Sequence, residues 1–205
     1  MVVLQEKLPA LILASTSRYR RELLGRLGLS FTVEKPAVQE AHRADEAPRS
    51  RAVRLAREKA EAVSRRHPEA LVIGSDQVCA LGETILDKAG SRAGQEAQLA
   101  ALAGHSADFH TAVCLRSLHY EFLFEHCDLT RCVFRQLTNA AIAEYANQEP
   151  ALDCAGGFKV EGQGISLLER VESLDPTALV GLPLIGLSAG LARFASRSWA
   201  HAPTG

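Results

Sequence analysis

The chain has 205 residues, is 47% hydrophobic and 23% charged, and carries a formal net charge of −1 from 23 Lys+Arg and 24 Asp+Glu. This is globular composition, which excludes a disordered chain, and its charge balance supplies no field for polymeric nucleic acid or an anionic membrane. The charge is unevenly placed: residues 18–67 hold 13 of the basic residues against 7 of the acidic ones. That local excess suits either a site for an anion or helices with arginine-rich solvent faces.

The run Leu11-Ile12-Leu13-Ala14 reads as a buried strand, stopped by the helix-capping types Ser15-Thr16-Ser17. Leu23, Leu24 and Leu27 then share one helical face, with Gly28 suited to the residue past its end. A short strand is expected over Phe31–Val33 and a loop around Pro36–Pro48. Pro48 fits a first helical turn, and Val53, Ala56, Ala60 and Val63 repeat at helical spacing up to Pro68. Leu71-Val72-Ile73 reads as a second buried strand, running into Gly74-Ser75-Asp76-Gln77 and then a loop with Gly82 and Gly90. A helix follows from a Ser91 cap to Gly104, with Leu99 and Leu102 facing inward.

Residues 109–118 and 120–135 read as an antiparallel hairpin, and Thr138 caps a helix that presents Ile142 and Tyr145. The glycine-rich stretch Gly156–Gly164 reads as a loop against a ligand or backbone, Ile165–Leu168 as a strand, and Pro183 to about Ala195 as the last helix. The expected product is one α/β domain over residues 1–205 with a mixed sheet and flexible ends at 1–9 and about 198–205. Leu8–Ala14 is too short, and Leu179–Leu191 too broken by Gly and Pro, to target or span a membrane. The five cysteines lack zinc-site spacing and cannot all pair, which suits a reduced cytoplasmic protein.

Ser15-Thr16-Ser17-Arg18-Tyr19-Arg20-Arg21 lies where a strand gives way to a helix. Free N–H groups at such a turn attract anions, and the Ser15 and Ser17 hydroxyls with Arg20 and Arg21 add donors for phosphate. The same residues also suit a plain N-cap followed by solvated arginines. Neither a Walker loop nor a G-x-G-x-x-G fingerprint is present. Asp76 at a strand end and Glu40 in a polar loop are the candidate acids for a divalent cation or a water. Lys59 and Lys88 are candidate phosphate partners. Taken singly, Asp76 also suits a turn cap, and Lys59 one more charge on a helix surface.

Together and in this order, these residues resemble the Maf family of nucleotide pyrophosphatases. The resemblance is carried by Leu11–Ser17 with Arg20, Leu23 and Leu24; by Glu40; by Glu58-Lys59-Ala60; and by Ile73-Gly74-Ser75-Asp76 with Lys88. It continues through Asp153-Cys154-Ala155-Gly156 with Gly162 and Gly164, and Val180-Gly181-Leu182-Pro183. Tyr19, Gln77 and Glu161 stand where the family's 7-methyl-GTP group carries an aromatic residue, Gln and Glu. The chain departs from the family at Arg18 and at Asp87-Lys88-Ala89, where Pro and Gly-Lys-Pro are usual.

The resemblance implies an elongated mixed sheet with flanking helices and two lobes around a cleft, as in inosine-triphosphate pyrophosphatases. It implies hydrolysis of 7-methyl-GTP to the monophosphate and pyrophosphate, a house-cleaning role. Asp76, Glu40, Lys59 and Lys88 would be catalytic, and Asp76 and Glu40 would hold a divalent cation, Mg²⁺ first and Mn²⁺ as the alternative. Ser15, Ser17, Arg20 and Arg21 would bind the triphosphate, while Tyr19, Gln77 and Glu161 would choose the base. A positively charged methylguanine suits stacking on Tyr19 and a carboxylate from Glu161. A homodimer is implied as well. The alternatives are a dTTP/UTP pyrophosphatase and a nucleotide-binding regulator of septum formation with little turnover.

Overall fold

The computed structural model describes residues 6–197. In chain order the elements are β1 (Leu11–Ala14), α1 (Arg18–Gly25), β2 (Thr32–Glu34), α2 (Pro48–Ser64), β3 (Leu71–Leu81), β4 (Thr84–Leu86), α3 (Arg92–Leu102), β5 (Ser106–Ser117), β6 (Phe122–Phe134), α4 (Asn139–Gln148), β7 (Leu168–Glu172) and α5 (Leu184–Ser196). Single 3₁₀ segments lie at Gln163–Leu167 and Ala178–Val180. Ser17, Ser91 and Thr138 cap α1, α3 and α4 with their hydroxyls, as those residue types at those places predict.

The strands form one mixed seven-stranded sheet in the order β2-β1-β3-β5-β6-β7, with β4 also on β3. β1 runs parallel to β2 and β3, and the other pairings are antiparallel. Helices cover both faces, so β1 and the start of β3 are apolar on every residue rather than alternating. Leu11, Leu13, Leu71 and Ile73 pack with α1 and α5 through Leu23, Leu24, Leu187, Leu191 and Phe194. On the opposite face Ile12, Val72, Val78 and Ala112 meet Ala52, Ala56, Ala60 and Val63 of α2. A separate apolar cluster at the far end of β3 and β5 gathers Leu99, Phe109, Phe134, Ile142, Tyr145 and Phe158 beneath α3 and α4. Two lobes thus share the long strands β3, β5 and β6.

Three expectations need correction. The second buried strand does not stop at Ile73: β3 runs for 11 residues, because β5 pairs with it from Val72 to Ala80, and Asp76 sits in mid-strand. The loop after it contains β4, which pairs Leu86 with Cys79. Ile165–Leu168 is mainly 3₁₀; Ile165 is 51% exposed, and the strand begins only at Leu168. Of the ends expected to be flexible, residues 1–5 and 198–205 lie outside the described residues, while Leu8 packs on the core.

Candidate active site

Neighbours on one edge of β3 create the site. β1 pairs with Leu71–Gly74 and β4 with Cys79–Leu81, so the edge is unpaired from Ser75 to Val78. A cleft of about 880 Å³ opens at this gap. The turn after β1 forms one wall, the segment after β4 another, and residues 153–161 and 179–181 close the remaining side. Ten of the eleven expected residues line it: Ser15, Ser17, Tyr19, Arg20, Glu40, Lys59, Asp76, Gln77, Lys88 and Glu161. Arg21 does not. It is exposed on α1, since one residue along a helix turns the side chain about 100° away from the direction of Arg20.

Lys59 reaches the cleft because α2 lies unusually close to β3. A Cβ on Gly74 would stand 2.2 Å from the Ala56 carbonyl oxygen and 2.7 Å from the Ala60 nitrogen. Only glycine permits this approach. The buried Lys59 ammonium then donates to Asp76 Oδ1 at 2.5 Å and pairs with Glu40 Oε1 at 2.7 Å. Burial pushes the Glu40 carboxyl up, but Lys59, helped by Lys88 and Arg20, more than reverses this and holds it below its ordinary value. Lys59 is therefore not a solvated helix charge, and Asp76 is not a turn cap.

On the opposite wall Ser15 is buried, and its hydroxyl accepts from the Ser17 N–H at 3.1 Å, fixing the turn into α1. Arg20 Nε donates to the Gly181 carbonyl at 2.9 Å, which also accepts from Ser75 Oγ at 3.0 Å. Burial lowers the Arg20 pKa, opposed by the negative charges of Asp76 and Glu40. The site thus interleaves the cations Arg20 and Lys59 with two acids. Lys88 stands on an exposed segment, anchored by an isolated bridge to Ala155.

Gln77 Nε2 donates to Thr111 Oγ1 and to the Ala178 and Leu179 carbonyls, each at 3.0 Å. Its amide nitrogen is thereby committed to the protein, leaving the amide oxygen as its group for a ligand. Glu161 is exposed at the rim. Tyr19 carries the Arg18 guanidinium 4.7 Å from its ring centroid, with Arg18 Nη2 donating to the phenol oxygen at 2.9 Å.

Sequence reasoning missed His42, Arg51 and Asp87, which line the cleft as a closed ring of contacts. Arg51 Nη1 bonds His42 Nδ1 at 2.9 Å and Arg51 Nη2 donates to Asp87 Oδ1 at 3.0 Å. His42 Nε2 reaches Asp87 Oδ2 at 3.0 Å. The available signal was spacing: Arg51, Leu55 and Lys59 recur every fourth residue, one stripe of α2 facing the cleft. Five other arginines of the basic segment are spent on ion pairs: Arg43 and Arg54 with Glu58, Arg54 also with Glu46, Arg57 with Glu125, Arg65 with Glu61 and Arg66 with Glu34. Of that segment's Lys and Arg residues, Arg18, Arg20, Lys35, Arg51 and Lys59 line the cleft.

A divalent cation suits this donor set. Lys59 engages one oxygen of each carboxylate, so Asp76 Oδ2 and Glu40 Oε2 are the carboxylate oxygens it does not engage. Mg²⁺ is commonly held by one or two carboxylates, with substrate phosphates and waters completing its shell. Among the described residues no group of three or more His, Cys, Asp or Glu could hold a metal ion by itself.

A family model described as Maf-like protein matches residues 10–194. The chain is 54% identical over 185 residues to a 7-methyl-GTP pyrophosphatase of Xanthomonas oryzae pv. oryzae (strain MAFF 311018), covering 88% of this chain and 94% of that protein. Proteins of the same name are similar in Cupriavidus metallidurans (49% over 187 residues; 91% and 94% covered) and Bordetella avium strain 197N (46% over 187 residues; 91% and 93%).

Proposed function

Because the chain belongs to the Maf-like protein family, we propose that it is a nucleoside triphosphate pyrophosphatase acting on 7-methyl-GTP, in a house-cleaning role. The observation that carries the chemistry is Lys59, buried between Asp76 and Glu40 on the floor of a cleft rimmed by Ser17, Arg20 and Lys88.

In this reading Arg20, Lys59 and Lys88 neutralise the triphosphate and the charge that develops as it reacts. Water attacks the α-phosphorus and gives its proton to Asp76, while the bond to the bridging oxygen breaks and pyrophosphate leaves. Lys59 holds the Asp76 carboxylate in place through its hydrogen bond to Oδ1. A divalent cation held by Asp76 and Glu40 would polarise the phosphate oxygens and help acidify the water. Tyr19, Gln77 and Glu161 read the base: an aromatic face for a cationic ring, and acceptors for the guanine N1–H and exocyclic amine.

Five free cysteines, three of them buried, suit a reducing compartment, and the cytoplasm is the proposed location. No helix of the described residues is long and apolar enough to cross a membrane. The homodimer that the resemblance implies is part of the proposal, and light scattering on the purified protein reads it. The decisive assay is pyrophosphate release over a panel of 7-methyl-GTP, GTP, dTTP and UTP with Mg²⁺ or Mn²⁺. Preference for 7-methyl-GTP is expected. Preference for dTTP and UTP would overturn the substrate, and absence of turnover would overturn the enzyme.

A further inference from the structure

The segment between β2 and α2 has no strand or helix of its own, yet it carries Glu40. Its described side-chain ties run mostly to α2: Arg43 to Glu58 at 3.0 Å, Arg54 to Glu46 at 2.5 Å, and Arg54 to the Ala41 carbonyl at 3.2 Å. These hold the loop to one wall. Lys88 belongs to a different wall, beyond β4, where Gln98 Nε2 donates to the Asp87 carbonyl at 2.7 Å. The ring of His42, Arg51 and Asp87 joins the two.

The ring's chemistry is specific. An arginine cannot accept a hydrogen bond, so His42 Nδ1 must accept from Arg51, which leaves the ring proton on Nε2. Nε2–H then donates to Asp87 Oδ2, while Arg51 donates to Oδ1. His42 is two residues from Glu40, and Asp87 is next to Lys88. The Arg51 side chain is only 7% exposed, so the post between the two loops is set in the protein, while the His42 and Asp87 arms that meet on it are 62% and 53% exposed. The buried Arg51 Nε has no partner among the described residues, an arrangement that costs stability. Arg51 also neutralises Asp87, whose charge would otherwise stand beside Lys88 and oppose a triphosphate.

We propose that His42, Arg51 and Asp87 form a positioning bridge that fixes Glu40 and Lys88 relative to each other across the triphosphate end of the cleft. The inference rests on the pyrophosphatase reading and adds to it three cleft-lining residues to which that reading gives no part in the chemical step. Gln is the informative replacement for His42, since its amide offers one acceptor and one donor, as the neutral imidazole does.

The test compares His42→Leu, His42→Gln, Asp87→Ala and the double variant of His42→Leu with Asp87→Ala. Two measurements are made: kcat/KM for 7-methyl-GTP and GTP, and hydrogen exchange of residues 36–47 and 87–90 without nucleotide. In His42→Leu, exchange in both segments is expected to quicken several-fold and kcat/KM to fall roughly tenfold for both nucleotides, because small misplacements are costly in catalysis. His42→Gln restores most of both readouts. Asp87→Ala matches His42→Leu, and the double variant is no worse than either single one, as members of one network are not additive. Unchanged exchange in His42→Leu overturns the bridge, as does an activity loss that Gln does not restore. Quickened exchange in a protein that hydrolyses none of the nucleotides would support the bridge while refuting the pyrophosphatase reading.

Discussion

Gly74→Ala is expected to disable the site without touching any group in it. The added Cβ would lie 2.2 Å from the Ala56 carbonyl oxygen, and ordinary contact begins near 3.4 Å, so α2 and β3 must separate by about 1.2 Å. Both obstructing groups are backbone, and no rotamer change relieves them. Overpacking of this kind costs roughly 1–3 kcal/mol. In a domain of this size that lowers the melting temperature by about 2–12 °C. A shift of that size carries Lys59 Nζ from 2.5 Å to beyond hydrogen-bond distance of Asp76, and misplacement by about 1 Å costs about 10² in rate. The assay pairs thermal unfolding with pyrophosphate release. A melting temperature within about 1 °C of the parent and activity within about twofold would refute the claim that Gly74 sets the Lys59–Asp76 contact.

Asp76→Asn keeps the shape and is expected to cost about 10²-fold or more in kcat, read by the same release assay at saturating substrate. Glu161→Gln should lower kcat/KM for 7-methyl-GTP by roughly ten- to a hundredfold, through one mispaired hydrogen bond and lost charge compensation; an unchanged ratio of 7-methyl-GTP to UTP would remove Glu161 from base selection. Stability should fall in acid. Arg54 holds Glu46 and Arg131 holds Asp108 below their ordinary values of 4.5 and 3.8. A depressed carboxyl stabilises fully above its unfolded pKa and loses that contribution as pH drops through the folded one. The melting temperature should therefore hold from pH 7 to about 5 and decline below about 4.5. Asp128, raised by burial, runs the other way and blunts the decline. Burial also pushes the Cys114, Cys132 and Cys154 thiols up to about 12, so iodoacetamide at pH 8 should label the native protein far more slowly than the denatured chain.

Local signals made much of the fold legible. Capping hydroxyls at Ser17, Ser91 and Thr138, and Pro48 at a first turn, mark helix starts that depend only on neighbours in sequence. The errors arose where pairing decides. Nothing within Ser75-Asp76-Gln77 announces a strand; it is one because β5 runs alongside, bonding Asp76 opposite Ala112. β4 is three residues that, among the described residues, pair with β3 alone. Ile165 is exposed while Leu167 and Leu168 pack in the core, so the hydrophobicity of that run marked burial at its end but not a strand throughout.

The site was legible for a different reason. Its charged residues make poor sense as an isolated set: Asp76 and Lys59 are each buried, and a buried charge alone costs far more than one that is paired. Their sequence separation of 17 hides the pairing, and small residues reveal it. Ala52, Ala56 and Ala60 at four-residue spacing, facing a strand that contains Gly74, are the pattern of a helix packed close to a sheet. The next stripe around the same helix, Arg51, Leu55 and Lys59, must then look along the sheet toward the gap between β1 and β4. The alanines make α2 a structural helix, and that same closeness gives it a cleft-facing edge. Packing and chemistry cannot be varied independently here: a larger residue at Ala56 or Ala60 should weaken turnover together with stability, although neither side chain reaches the cleft.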